Sequence, residues 1–179
     1  MGCGDDEKLA GSPDPATERS DPPADPPTGW RTFANRHAGF TVAIPPGWVP
    51  RRRGSATLIR SGDRLVAVTV AADRSHPGRT TRPRAYVRRT FRALPGFRRL
   101  RAGRPRRVAT SPYPSARVDG SGTLAGRRQR QRITVAAFRR PGRVTYTIVA
   151  FSAVVDGGAP HGASLRVLLG TLRARRPAV

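Results

Sequence analysis

Three histidines and four carboxylates are the residues after position 28 from which acid–base chemistry could start. His37, His76 and His161 sit in Arg-His-Ala-Gly, Ser-His-Pro-Gly and Pro-His-Gly-Ala, all loop contexts. Asp63, Asp73, Asp119 and Asp156 stand beside glycine or at the ends of apolar runs, where an aspartate commonly bonds its own backbone two residues on. Hydrolysis needs such a group held by an orienting partner. A His–Asp pair serving Ser152 or Ser164 is the one arrangement these residue types permit, and turn duty is the expectation for the aspartates. No two histidines have zinc-ligand spacing, so neither metal nor cofactor is expected. Gly120-Ser121-Gly122 and Gly157-Gly158 lack the Lys-Ser/Thr and the following helix of a phosphate loop and read as turns. No catalytic residue is assigned, and the chain is expected not to be an enzyme.

Arginine is the other chemically loaded residue. It recurs in runs at Arg51-Arg52-Arg53, Arg88-Arg89, Arg98-Arg99-Leu100-Arg101, Arg104-Pro105-Arg106-Arg107, Arg127-Arg128-Gln129-Arg130 and Arg173-Ala174-Arg175-Arg176. Guanidinium forks take phosphate and carboxylate two bonds at a time. The candidate anion-binding residues are Arg51, Arg52, Arg53, Arg104, Arg106, Arg107, Arg127, Arg128 and Arg130. The charge is also divided along the chain. Residues 1–28 hold seven of the eleven acids and two bases, Lys8 and Arg19, while residues 29–179 hold 32 bases and four acids. An acidic tail joined to a basic body points to anionic partners. Anionic membrane lipid or wall polymer is the expected ligand, with an envelope protein as a further partner. Nucleic acid is expected to bind only nonspecifically, because aromatics are 6% and no base-reading motif occurs. Two rivals remain open: a cytoplasmic protein associated with nucleic acid, and a scaffold or sensor for a protein partner.

The tail sets the domain boundary. Gly11–Pro27 reads GSPDPATERSDPPADPP, which cannot build a core and suits an extended spacer. Residues 1–28 are therefore taken as a tether and 29–179 as one domain. No run of 18 apolar residues is present, so no transmembrane helix is expected.

The body's periodicity supplies the elements that must position these groups. Gly39–Pro45 alternates and stops at Pro45-Pro46-Gly47, a strand and a turn. Thr57–Arg60 is a short strand, and Leu65–Ala72 is apolar enough to be a central strand covered on both faces. Thr81–Leu94 shifts to helical spacing, with Pro83 in the first turn and Tyr86, Val87, Phe91 and Leu94 on one face. Ala116–Leu124 is a weak, glycine-interrupted strand. Arg130–Arg139 and Val144–Val154 are strong strands around a hairpin signal at Arg140-Pro141-Gly142. Leu165, Leu168, Leu169 and Leu172 make a final amphipathic helix. Hairpin-linked strands with helices packed on them predict an α+β domain on a central antiparallel sheet of about six strands.

Two resemblances follow from these residues. Met1-Gly2-Cys3-Gly4 ahead of a polar, proline-rich tether resembles the mature start of a bacterial lipoprotein, with Cys3 as the lipidated residue, although the apolar region that should precede Gly2 is missing. That likeness implies an extracytoplasmic, membrane-anchored protein. Trp30–Phe33, followed by Gly39-Phe40-Thr41-Val42-Ala43-Ile44-Pro45-Pro46-Gly47-Trp48, resembles the opening of a domain of actinobacterial envelope lipoproteins of the LpqN type. The Tyr146-Thr147-Ile148 strand and a terminal helix ending near Thr171-Leu172-Arg173 agree with it. These domains are similar to the superfamily of PsbP and of a Ran-GTPase-binding protein. The resemblance implies a PsbP-like α/β/α sandwich and a binding or assembly module without catalytic residues.

Overall fold

The computed structural model describes residues 26–126, 129–140, 144–155 and 158–175. Its elements run β1 (Arg31–Asn35), β2 (Phe40–Ile44), β3 (Val49–Arg53), β4 (Ala56–Arg60), β5 (Val66–Asp73), α1 (His76–Thr80), α2 (Pro83–Arg92), β6 (Phe97–Ala102), β7 (Ser115–Leu124), β8 (Arg130–Arg140), β9 (Val144–Ala153), α3 (Gly162–Gly170) and β10 (Arg173–Ala174). Seven strands form one antiparallel sheet in the order β3-β4-β5-β9-β8-β7-β6, and β1-β2-β10 form a smaller one. The domain is α+β.

Alternation along the long strands builds two cores, one on each face of the seven-stranded sheet. Val66, Val68 and Val70 of β5, Ala136 and Phe138 of β8, and Tyr146, Ile148 and Ala150 of β9 face the small sheet and α3. There they meet Phe40, Val42, Ile44, Leu168, Leu169 and Leu172. The other face carries Ala116, Val118, Ile133, Val135 and Ala137, which pack on Tyr86, Val87 and Phe91 of α2. One outer layer is thus α2 with the short α1, whose Gly78 carbonyl accepts from the Thr145 hydroxyl of β9 at 2.6 Å, and the other combines α3 with a small sheet. On that side β1-β2-β10 joins α3, so the outer layer of the expected α/β/α sandwich is part helix and part sheet.

The central sheet has seven strands, close to the six or so expected, and three more form the small sheet. β1, β3, β6 and β10 were not expected, because edge strands are solvated and carry little apolar alternation. β3, for example, reads Val-Pro-Arg-Arg-Arg, all but Pro50 exposed. Of the three loop histidines, His76 instead opens α1, a short helix capped by the Ser75 hydroxyl, which accepts from the Gly78 N–H at 3.3 Å. β5 is fully buried on one face only; Ala67, Thr69 and Ala71 are half-exposed on the other. The strands covered on both faces are β8 and β9, which pair from Gln131↔Ala153 to Arg140↔Val144. The hairpin signal falls at their junction, and its Pro141 and Gly142 lie outside the described residues.

The glycines that make β7 look weak are what lets α2 dock. A Cβ on Gly120 would sit 2.5 Å from Phe91 Cζ and would strike the main-chain carbonyl of Arg101. Gly120→Ala should therefore cost about 2–3 kcal/mol in denaturant unfolding, the usual range for overpacking. An unchanged midpoint would mean that α2 sits farther from β7 than this packing requires.

Candidate functional site

Along β8 one face changes character halfway. Arg130, Arg132 and Thr134 precede Ala136 and Phe138 at every second position, so polar residues give way to core residues on the same side. β7 and β9 repeat the pattern in register: Asp119 lies opposite Thr134 and Ser121 opposite Arg132 on one side, and Ser152 opposite Arg132 on the other. The small sheet covers only the apolar half. The polar half is left as the floor of a groove walled by the Ala159–Gly162 turn and by Leu165, Arg166 and Leu169 of α3.

The groove encloses about 550 Å³. Among the described residues, five arginines line it (Arg106, Arg117, Arg130, Arg132 and Arg166) with one carboxylate, Asp119. That carboxylate is already engaged: Arg106 Nη2 donates to its Oδ2 at 3.0 Å, Arg117 Nε lies 3.2 Å from the same oxygen, and the Thr134 hydroxyl donates to Oδ1 at 2.7 Å. Arg117 Nε is buried, yet no aligned hydrogen bond reaches it. Arg130 Nη2 donates to Ser121 Oγ at 3.0 Å. Val66, Ala150, Leu165 and Leu169 give the groove an apolar component. The arrangement suits an extended anionic ligand with some apolar surface: charge-assisted forks on one side, desolvated aliphatic contact on the other.

The end of the groove is pinned by His161, whose φ of 61° is left-handed. Histidine tolerates that region better than most residues, but a non-glycine held there needs support from its neighbours. His161 Nε2 lies 2.6 Å from Asp63 Oδ2, and its ring meets Trp48 edge-on at 5.6 Å. Asp63 also accepts from the Ser61 hydroxyl at 2.5 Å and the Leu65 N–H at 3.0 Å. These bonds, Ser61 foremost and His161 next, hold the Asp63 carboxyl well below the usual carboxylate range. A carboxylate depressed in the folded state adds stability above its unfolded value near pH 4, and that stability is lost as pH falls through the folded value. Asp63→Asn should therefore lower Tm at neutral pH, where the carboxylate's contribution is fully present, and flatten the acid limb of the Tm-against-pH curve below about pH 4. An acid limb identical to wild type would remove Asp63 from the latch.

The pairing of His161 with Asp63 departs from turn duty alone. It does not make a triad. The Ser152 hydroxyl is directed to the Pro160 and Ala153 carbonyls at 3.3 and 3.4 Å, and among the described residues no hydrogen bond joins it to His161. A nucleophile needs its base within hydrogen-bond reach. Ser164 lies in α3. His37 is exposed in the turn between β1 and β2. Asp73 accepts from the Ser75 N–H and hydroxyl and from the Tyr86 hydroxyl at 2.7 Å. Burial pushes its pKa up, but those bonds together outweigh it and hold the carboxyl below its ordinary value. Asp156 lies outside the described residues.

The arginine runs do not form one patch. Arg51, Arg52 and Arg53 occupy β3, the first strand of the sheet, whereas Arg106 and Arg130 belong to its far side. Five strand spacings of about 4.8 Å separate β3 from β7, roughly 24 Å. Arg52 is committed locally: it donates to the Ala34 carbonyl at 2.8 Å and stands over the Phe33 ring at 5.4 Å. Arg104 and Arg107 are exposed on the connection between β6 and β7 and do not line the groove. Cys3, Arg127 and Arg128 lie outside the described residues. Of the nine expected arginines, the fold brings together Arg106 and Arg130. Arg117, Arg132 and Arg166 were missed because each was sought in a run. For Arg117 and Arg132 the signal was strand alternation, which puts Arg132 on the same face as Ala136 and Phe138; for Arg166, on α3, the sequence carried none.

No protein-family model and no curated protein matches the chain. Solved structures do. A single-residue variant of Mog1 aligns over 82% of this chain and 96% of its own, at 10% identity and a TM-score of 0.55. The Ran-binding protein Mog1p of Saccharomyces cerevisiae aligns over 81% of this chain and 95% of its own, again at 10% identity and 0.55. A protein of Bacteroides thetaiotaomicron aligns over 80% of this chain and 48% of its own, at 14% identity and 0.51. At such identities the likeness is one of fold.

Proposed function

We propose that this domain is a non-catalytic binding module whose arginine groove takes an acidic segment of a protein partner. One observation carries the reading: five arginines from four parts of the fold converge on a concave, partly apolar floor where, among the described residues, the one carboxylate is already engaged. The Ran-binding protein among the fold's neighbours supports a protein as the partner class. The concavity favours a chain segment over a lipid or polymer surface, because a flat array of headgroups meets exposed arginines and cannot fill a groove. Nucleic acid is disfavoured for a different reason: among the described lining residues His161 carries the one aromatic ring, and single-strand binders stack bases on aromatic side chains.

The test is a map of the contact. Unlabelled acidic peptide is titrated into isotope-labelled protein and the backbone amide shifts are followed. Shifts should concentrate at Ser121, Thr134, Ser152 and Leu165 and spare Arg51–Arg53. Shifts of equal size at β3 would reduce the interaction to general charge and overturn the reading. Lipid attachment at Cys3 is a separate proposal, from the sequence alone. Detergent-phase partitioning of protein made in its own host, with the mass of its N-terminal peptide, decides it; a free thiol removes the anchor.

A further inference from the structure

We propose that the groove already has an occupant, the acidic N-terminal segment of this same chain, residues 1–25, which a partner must displace. This rests on the reading of the groove as a site for acidic segments. Charge gives the first argument. Asp5, Asp6, Glu7, Asp14, Glu18, Asp21 and Asp25 fall in that segment against only Lys8 and Arg19, and the remaining 154 residues contain four acids. The chain has one strongly acidic stretch and one groove that converges five arginines.

Position gives the second argument. The start of the described chain is linked to the groove wall through Arg31, Trp48 and His161. The Trp30 N–H donates to the Pro27 carbonyl at 3.0 Å, fixing the entry turn. Gly29 faces Pro46, whose Cγ would lie 3.8 Å from a Cβ there. Arg31 Nη2 donates to the Trp48 carbonyl at 2.8 Å, and the Trp48 ring meets His161 on the groove wall at 5.6 Å. Five extended residues reach roughly 16 Å, so Asp21 can lie up to that far from Pro26.

Tethering gives the third. A short linker holds its end at an effective concentration on the order of millimolar. A contact with a free-peptide Kd of about 0.1 mM would then be made about ten times out of eleven. A competing acidic ligand would lose about tenfold in affinity for the same reason.

The experiment uses the full chain with all seven acids neutralised, Asp→Asn and Glu→Gln. A fluorescein-labelled oligoglutamate is the probe, read by fluorescence polarisation at low salt. The substitutions precede β1, and thermal melts check that the body is intact. The neutralised chain should bind the probe about tenfold more tightly than wild type, with the difference vanishing by about 0.5 M salt as screening shortens. Adding Arg130→Gln and Arg132→Gln should abolish the gain. Equal affinities for wild-type and neutralised chains overturn the proposal and leave the groove's reading intact. No binding to either chain overturns the groove's reading itself. If wild type sediments as a dimer that neutralisation dissolves, the segment lies in a second copy, and the contact within one chain is overturned. A photo-crosslinker on Cys3, the single cysteine, should mark peptides of β7, β8 and α3; marks centred on β3 and β4 would overturn the proposal.

Discussion

Replacing Arg130, Arg132 and Arg166 together by glutamate should weaken binding of an acidic peptide about a thousandfold at low salt and barely move Tm. All three side chains are exposed, so the new carboxylates remain solvated, and surface changes of this kind stay within about 0.5 kcal/mol each. Binding responds differently, because each substitution converts an attraction into a repulsion. At about 4 Å in water one unit pair is worth about 1 kcal/mol, so a reversal changes the energy by about 2 before screening. Taking about 1.4 kcal/mol per site after screening gives about tenfold each and a thousandfold for three. The same reversal at Arg51, Arg52 and Arg53 on β3, four strand spacings or roughly 19 Å from β8, should cost less than about tenfold. Isothermal titration of both variants checks the pair of expectations. Similar losses from the two would mean that the ligand reads net charge and that the groove has no special part.

Phe40→Ala should remove about 4 kcal/mol of stability, the largest effect expected from a single substitution in the core. Phe40 is 0% exposed and sits in β2, whose five residues are all buried. Its ring meets Tyr146 edge-on at 6.1 Å, and the Tyr146 hydroxyl donates to the Gly39 carbonyl at 2.8 Å. These contacts fasten the small sheet to the large one. α3 depends on the same fastening, since Leu168, Leu169 and Leu172 belong to that core and Thr171 Oγ1 accepts from the Ala43 N–H at 3.1 Å. Truncation leaves a cavity that the flanking strands cannot close without moving α3, which is also the groove's wall. Denaturant unfolding measures the loss. A change under about 1.5 kcal/mol would mean that the small sheet is not packed as described. Probe affinity should fall with it near the unfolding midpoint, while the Arg130, Arg132 and Arg166 variant loses affinity in the fully folded state.

Much of the frame was legible in the chain. The alternating run at Gly39–Pro45 became β2, the shift to helical spacing after Thr81 became α2 with Pro83 at its first position, and the final leucine repeat became α3. The pairing of Arg130–Arg139 with Val144–Val154 is the central β8–β9 pair. In each case hydrophobic period decides the element, because burial demands it locally. The edge strands escaped notice for the complementary reason: β3 and β6 bury little, so their sequences carry no period.

The groove shows the limit of such reading. That Arg130, Arg132 and Thr134 share a face follows from alternation alone, as does the change to Ala136 and Phe138. That the first half of this face stays open, and that Arg106, Arg117 and Arg166 join it, depends on where the small sheet ends and where α3 lies. The same holds for His161 and Asp63, 98 positions apart yet 2.6 Å from one another. Local sequence determines which residues are side by side along one element, because backbone geometry repeats. Which faces meet, and which is left for a ligand, is set by contacts between distant segments, and that only the tertiary structure decided.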